Sequence, residues 1–159
     1  MHKIRLVKQK LNFSAAHFIT LENECEALHG HNYYTSVEIT GTPDENFYLI
    51  DFGLLKKEMQ MLCDSLDHKV LMAVENPHLV MSRCGKQFDV TYREKKYSFP
   101  FEDVAALPIP NTTVEMLSQY LCGKLRDALD GKRYLDKIRA IEVGVEETAG
   151  QMASYRIDL

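Results

Sequence analysis

Over the first forty residues, apolar positions recur with a period of two. Leu11, Phe13, Ala15 and His17 share one face of an extended segment that begins near Ile4. Ile4 and Leu6 fall in the opposite phase, which predicts a bulge near Val7–Gln9. Residues 18–28 are polar and aperiodic and read as a loop. A second strand follows from about His29 to Thr40. His29, His31, Tyr33, Thr35, Val37 and Ile39 share its apolar face, and Asn32, Ser36 and Glu38 face the other way. Residues 41–46 form a turn-rich connection.

The period then changes. Asp51 suits a helix cap, and Phe52, Leu55, Met59, Leu62 and Leu66 recur at three- and four-residue steps. That helix runs out near Asp67-His68. Residues 76–86 look irregular, with Asn76-Pro77 as a turn. Phe88, Val90 and Tyr92 alternate, as do Tyr97, Phe99 and Phe101, on either side of Arg93-Glu94-Lys95-Lys96, which predicts a hairpin. Thr112 and Glu115 fit a capping box with Thr112 at the cap. Val114, Leu117, Leu121, Leu125 and Ala128 make the second helical stripe, closed by Asp130-Gly131. A third strand spans about Lys137 to Thr148, with Ile141, Val143, Val145 and Glu147 on its apolar face, and a last one spans Met152 to Ile157. The order is strand, strand, helix, hairpin, helix, strand, strand. It predicts one α+β domain over residues 1–159, with two helices on one face of an antiparallel sheet.

Composition narrows the function classes. The net charge of −4, from 19 basic and 23 acidic residues, argues against nucleic-acid binding driven by bulk charge. No apolar run reaches the roughly 18 residues of a membrane span, and no signal-peptide pattern opens the chain. Cys25, Cys63, Cys84 and Cys122 form no CxxC pair, so free thiols in the cytoplasm are expected. Cys63 and Cys122 fall within helical stripes and read as core. Cys25 differs, because it lies in a polar segment beside two histidines.

Those histidines carry the chemistry. His29 and His31 point to one face, and His17 ends the inward stripe of the neighbouring strand. Three converging imidazoles give the open three-histidine site of a catalytic zinc. A closed structural site would need a fourth ligand, which Cys25 could supply. Otherwise Cys25 is a candidate base or nucleophile, its thiol acidified by a nearby cation. Asp67-His68 is a candidate proton-transfer pair; a histidine satisfying the last carbonyls of a helix is the simpler alternative. Glu147 sits in the inward phase of a valine-rich strand, where a carboxylate needs a partner. An internal Arg or Lys would serve, and so would a heterocycle edge with two adjacent N–H donors. Glu115 is accounted for by the capping box, and Thr113 adds a polar group beside it.

Six ordered pieces resemble the 6-pyruvoyltetrahydropterin synthase / 6-carboxytetrahydropterin synthase family. They are Phe13-Ser14-Ala15-Ala16-His17, Leu28-His29-Gly30-His31-Asn32-Tyr33, Asp51-Phe52, Leu66-Asp67-His68, Thr113-Val114-Glu115 and Val145-Glu146-Glu147-Thr148. The resemblance implies the tunnelling fold. In it, three subunits join their sheets into a barrel, two trimers stack into a homohexamer, and active sites lie between subunits. It implies Zn2+ on His17, His29 and His31 and a catalytic thiolate at Cys25. Asp67 and His68 would be relay partners from a neighbouring subunit, and Glu147 would anchor the pterin with Thr113 and Glu115. The implied substrate is 7,8-dihydroneopterin triphosphate, with no nucleic-acid or membrane partner.

Three residues separate Cys25 from His29, a spacing that resembles the carboxy-forming enzymes of queuosine and 7-deazaguanine biosynthesis. Their product is 6-carboxy-5,6,7,8-tetrahydropterin, with release of triphosphate and acetaldehyde. The 6-pyruvoyl branch carries a longer insertion there. A third branch uses a glutamate for the cysteine and forms 6-hydroxymethyl-dihydropterin; Glu24 and Glu26, flanking Cys25, keep that chemistry open. A zinc-stabilised pterin-binding module is the non-enzymatic alternative. Two departures stand out: a long segment from Met81 to Pro108, and Leu71-Met72 where the family commonly has leucine-asparagine.

Overall fold

The computed structural model describes residues 1–132 and 134–159, and of residues 8 and 9 the backbone alone. Strands β1 (His2–His17) and β2 (His29–Gly41) pair antiparallel. Their register shifts between Val7 and Asn12, the region where the apolar phase inverts. One extra stretch of backbone lets Leu6 and Leu11 both face the core despite their odd spacing.

Helix α1 (Phe52–Leu66) starts as expected, with the Asp51 carboxylate accepting the Gly53 N–H at 2.6 Å. After it come β3 (Lys69–Ala73), β4 (Val80–Cys84), β5 (Gln87–Tyr92), β6 (Lys95–Pro100) and β7 (Val104–Leu107). Helix α2 (Val114–Asp130), β8 (Ile138–Thr148) and β9 (Gln151–Asp158) complete the chain. The main sheet has the order β7-β3-β1-β2-β8-β9. The second sheet has the order β4-β5-β6.

Three expectations change. The main sheet is not wholly antiparallel, because β3 runs parallel to β1 and β7 parallel to β3. Runs of four and five residues are too short for periodicity to separate them from loop. The 76–86 stretch is not irregular throughout, since β4 pairs with β5 and widens the hairpin to three strands. The cap of α2 is Thr113, whose hydroxyl accepts the Met116 N–H at 3.4 Å, and no capping box forms from Thr112 to Glu115.

Both helices cover one face of the main sheet. Leu55, Met59, Cys63 and Leu66 of α1 and Leu117, Leu121, Leu125 and Leu129 of α2 bury against Phe13, Val37, Ile39, Ile141 and Val143. A second, smaller core joins Phe18, Cys25 and Met72 to Phe88, Val90 and Tyr92 of the three-stranded sheet. Among the described residues the four cysteines are free thiols, and no helix is long and apolar enough to cross a membrane.

Candidate active site

The β1–β2 register places Ala15 opposite His31 and His17 opposite His29. Side chains two apart share a face, so the three imidazoles meet. Ring centroids lie 4.7 Å (His17–His29), 5.2 Å (His17–His31) and 4.9 Å (His29–His31) apart. One nitrogen from each ring falls within 4.8 Å of the others. Gly30, between the two β2 histidines, is pressed on β1: a Cβ there would sit 3.1 Å from the Ala15 carbonyl oxygen.

Hydrogen bonds fix which nitrogen faces inward. His17 Nδ1 lies 3.0 Å from the Thr112 carbonyl oxygen and 3.2 Å from its hydroxyl, so Nδ1 carries the proton and donates. His29 Nδ1 donates to the Ala27 carbonyl at 2.8 Å. His17 Nε2 is buried and has no hydrogen-bond partner among the described residues. Burial pushes the His17 pKa down to about 4, the Thr112 carbonyl opposes this, and His29 and His31 lower it further. A neutral imidazole with an orphaned lone pair aimed at two others is the donor set of a divalent transition metal. The group can therefore hold a metal ion.

Sequence reasoning missed Thr112. Its hydroxyl donates to the Phe18 carbonyl at 3.0 Å while its carbonyl orients His17, so it ties the chain ahead of α2 to the end of β1. The adjacent threonines concealed this, because either could have capped the helix. Tyr33 was also passed over as core. It stacks on Phe13 at 4.7 Å and stands edge-on to His17 and His31 at 5.8 and 5.5 Å. Its hydroxyl is buried without a partner among the described residues. Burial first, then the Glu147 and Glu26 carboxylates, raise its pKa. Both carboxylates are thus electrostatic neighbours of the residue packed on the histidines.

Glu147 follows Glu146 into a β8–β9 irregularity. Glu146 turns outward and accepts the Gly150 N–H at 2.7 Å. Glu147 is half-buried, with no side-chain hydrogen bond or ion pair among the described residues. The internal Arg or Lys partner is therefore not found there. Glu115, in the first turn of α2, is exposed and likewise free of the expected capping bond.

Cys25 is not part of the histidine group. Its side chain is 7% exposed, packed in the smaller core, and its thiol donates only weakly to the Glu26 carbonyl at 3.5 Å. Burial pushes the thiol pKa up, Lys95 opposes this, and Glu26 adds to the rise. The closed four-ligand arrangement is thus not formed. Glu26 is half-buried, and its carboxylate accepts the Ile19 N–H at 3.4 Å.

Asp67 and His68 form a dyad, with His68 Nδ1 2.9 Å from Asp67 Oδ2. Asp67 Oδ1 accepts the Ser14 N–H at 2.7 Å, and the His68 N–H donates to the Ser14 carbonyl at 2.7 Å. The Ser14 amide, and to a lesser degree His68, hold the Asp67 carboxyl below its usual range. His68 adopts a φ of 56°, uncommon for a residue with a Cβ, and its side chain is 84% exposed. It borders a cavity of about 580 Å³ with Ser14, Ala15, Ala16, Gly30, His31 and Asn32. His68 of the dyad and His31 of the histidine group thus line one cavity.

A sequence profile described as 6-pyruvoyl tetrahydropterin synthase matches residues 6–158. The chain belongs to that family. A putative 6-carboxy-5,6,7,8-tetrahydropterin synthase of Methanocaldococcus jannaschii is 37% identical over 147 residues, 92% of this chain and 90% of the relative. The 6-carboxy-5,6,7,8-tetrahydropterin synthase of Aquifex aeolicus is 28% identical over 156 residues, 96% and 90% of the two chains. Among solved structures, a Plasmodium vivax 6-pyruvoyltetrahydropterin synthase superposes with a TM-score of 0.95 at 27% identity, covering 99% of this chain and 98% of its own. That structure carries alanine in place of a catalytic glutamate. The likeness covers 99% of this chain, so the Plasmodium vivax structure shares the long 81–108 segment.

Proposed function

We propose that this protein is a zinc-dependent lyase acting on 7,8-dihydroneopterin triphosphate. The product is 6-carboxy-5,6,7,8-tetrahydropterin, with triphosphate and acetaldehyde released, in the cytoplasmic route to queuosine and other 7-deazaguanines. The observation that carries this reading is the three-imidazole group, with the His17 lone pair buried and unpartnered. Zinc held by His17, His29 and His31 would polarise the hydroxyls of the substrate side chain and acidify the bonds beside them. Glu147 has the open carboxylate that a pterin edge with two N–H donors requires. Thr113 and Glu115, at the positive end of α2, add polar contacts to the same ring.

Cys25 removes a proton from the substrate side chain in this reading, and His68, oriented by Asp67, returns one. In this reading the dyad serves the site of a neighbouring copy, in a homohexamer built as a dimer of trimers. That assembly also pairs the exposed edges of β7 and β9.

A second reading has a specific observation in its favour. The Cys25 thiol is buried and its pKa raised, while the Glu26 carboxylate is an electrostatic neighbour of Tyr33. The similar Plasmodium enzyme is described with a catalytic glutamate. Glu26 would then be the base, and 6-hydroxymethyl-dihydropterin the product; 6-pyruvoyltetrahydropterin is the remaining family product. Incubation with dihydroneopterin triphosphate followed by mass analysis separates the three. Cys25→Ala should abolish the carboxy product with zinc retained. Abolition by Glu26→Gln alone would favour the glutamate chemistry. A protein that binds pterin and zinc but yields no product would be a binding module.

A further inference from the structure

The loop that carries Cys25 and Glu26 is held locally by an antiparallel bridge between Thr20 and Cys25. Within it, Leu21 and Glu24 exchange backbone hydrogen bonds, and the Glu26 N–H donates to the Ile19 carbonyl at 3.0 Å. The Glu26 carboxylate also accepts the Ile19 N–H at 3.4 Å, and further restraint comes from far away in sequence. At the β5–β6 turn, Tyr92 pairs with Lys95, Arg93 takes a φ of 52°, and both basic side chains reach the loop. The Lys95 ammonium donates to the Cys25 carbonyl at 2.5 Å and to the Glu26 carbonyl at 3.4 Å. The Arg93 guanidinium donates to the Asn23 carbonyl at 3.3 Å and to its side-chain oxygen at 3.4 Å. Beneath this clamp, the Cys25 side chain packs on Phe88, Val90 and Tyr92 of the same sheet.

We propose that Lys95 is a positioning residue for the reaction: its ammonium, bridging the Cys25 and Glu26 carbonyls, fixes the peptide between the two candidate proton-transfer side chains. Two consecutive carbonyls held by one cation leave that peptide no rotation, and neighbouring side chains in an extended segment point to opposite sides. The bridge therefore sets the backbone from which the thiol and the carboxylate project, while the Ile19 N–H holds the Glu26 carboxylate at 3.4 Å. The three-stranded sheet gains a role by this assignment, as the brace that delivers Lys95 and Arg93 to the loop. The Lys95 charge also opposes the rise in thiol pKa that burial causes.

The proposal rests on reading Cys25 and Glu26 as the groups that move protons, and its test separates the two ideas. The metal-loaded full chain is compared as wild type, Lys95→Met, Lys95→Arg and the neighbouring control Lys96→Met. Turnover of dihydroneopterin triphosphate is one readout. Alkylation of Cys25 by iodoacetamide, mapped by mass to its own peptide, is the other. In Lys95→Met, kcat should fall about 10- to 100-fold with KM and metal content unchanged. Cys25 should be alkylated several-fold faster, because the loop no longer holds it against the small core. Lys95→Arg, which keeps a charged donor, should recover most of both, and Lys96→Met should match wild type. Cys25 alkylation at the wild-type rate in Lys95→Met overturns the clamp, whatever happens to turnover. A wild type that makes no pterin product overturns the enzymatic reading instead, and the alkylation comparison still decides the clamp. Should Lys95→Met melt below the assay temperature, Lys95→Gln is read by the same two measurements.

Discussion

The two sheets hold their functional groups in different ways. On the main sheet, His17, His29 and His31 are strand residues, paired across a regular register and backed by Phe13 and Tyr33, which are 1% and 0% exposed. On the smaller sheet's side, Cys25 and Glu26 ride a loop supported by five other buried side chains of the small core and two basic residues from a hairpin turn. Rigid strands suit ligands that must keep a fixed geometry around a metal. A loop braced from one side suits groups that exchange protons with a substrate that enters and leaves. Metal affinity should thus follow the main core, and turnover the small one.

The largest effect expected is on the histidine group. His17→Ala should remove the metal, read by elemental analysis, and lower turnover on the order of a thousandfold or more. Retained metal in that variant would break the comparison at its base. Next come the two cores. Leu121→Ala, in the main core, should cost about 2–5 kcal/mol of global stability in a denaturant titration. Val90→Ala, in the small core, should cost about 1–3 kcal/mol and expose the 20–28 loop to limited proteolysis while metal stays bound. Loss of metal in Val90→Ala would mean that the two regions are not separable. A smaller effect is expected at Thr112. Thr112→Val keeps the carbonyl that orients His17 and loses the hydroxyl, so metal affinity, measured by competition with a chelator, should fall about tenfold.

The smallest effect concerns Asp67. Its folded-state pKa lies below its unfolded value. The ionised carboxylate therefore stabilises the fold above about pH 4, and that contribution is lost as pH falls through the folded-state value. Asp67→Asn should be less stable than wild type in urea at neutral pH, and the two should converge in acid. A gap that persists in acid would assign the effect to shape rather than charge.

The strand phases that brought His17, His29 and His31 together were legible in the sequence, because inward alternation across a bulge leaves few alternatives. Both helices could be placed from their stripes, and Asp51 announced the first. The short parallel strands β3 and β7 were not legible, since four or five residues carry no period. Thr112 and Thr113 exchanged roles because a cap and its neighbour differ by a single position. The setting of Cys25 was hidden most deeply: its packing partners Phe88, Val90 and Tyr92 and its clamp Lys95 lie more than sixty residues away. Local polarity marked that segment as a solvated loop, and only the tertiary contacts show the thiol buried.

The most direct measurement is the product formed from 7,8-dihydroneopterin triphosphate by the metal-loaded protein, identified by mass, with wild type beside Cys25→Ala. The account predicts 6-carboxy-5,6,7,8-tetrahydropterin from wild type and none from Cys25→Ala, which keeps its metal. No pterin product from wild type, or the carboxy product at full rate from Cys25→Ala, would contradict it.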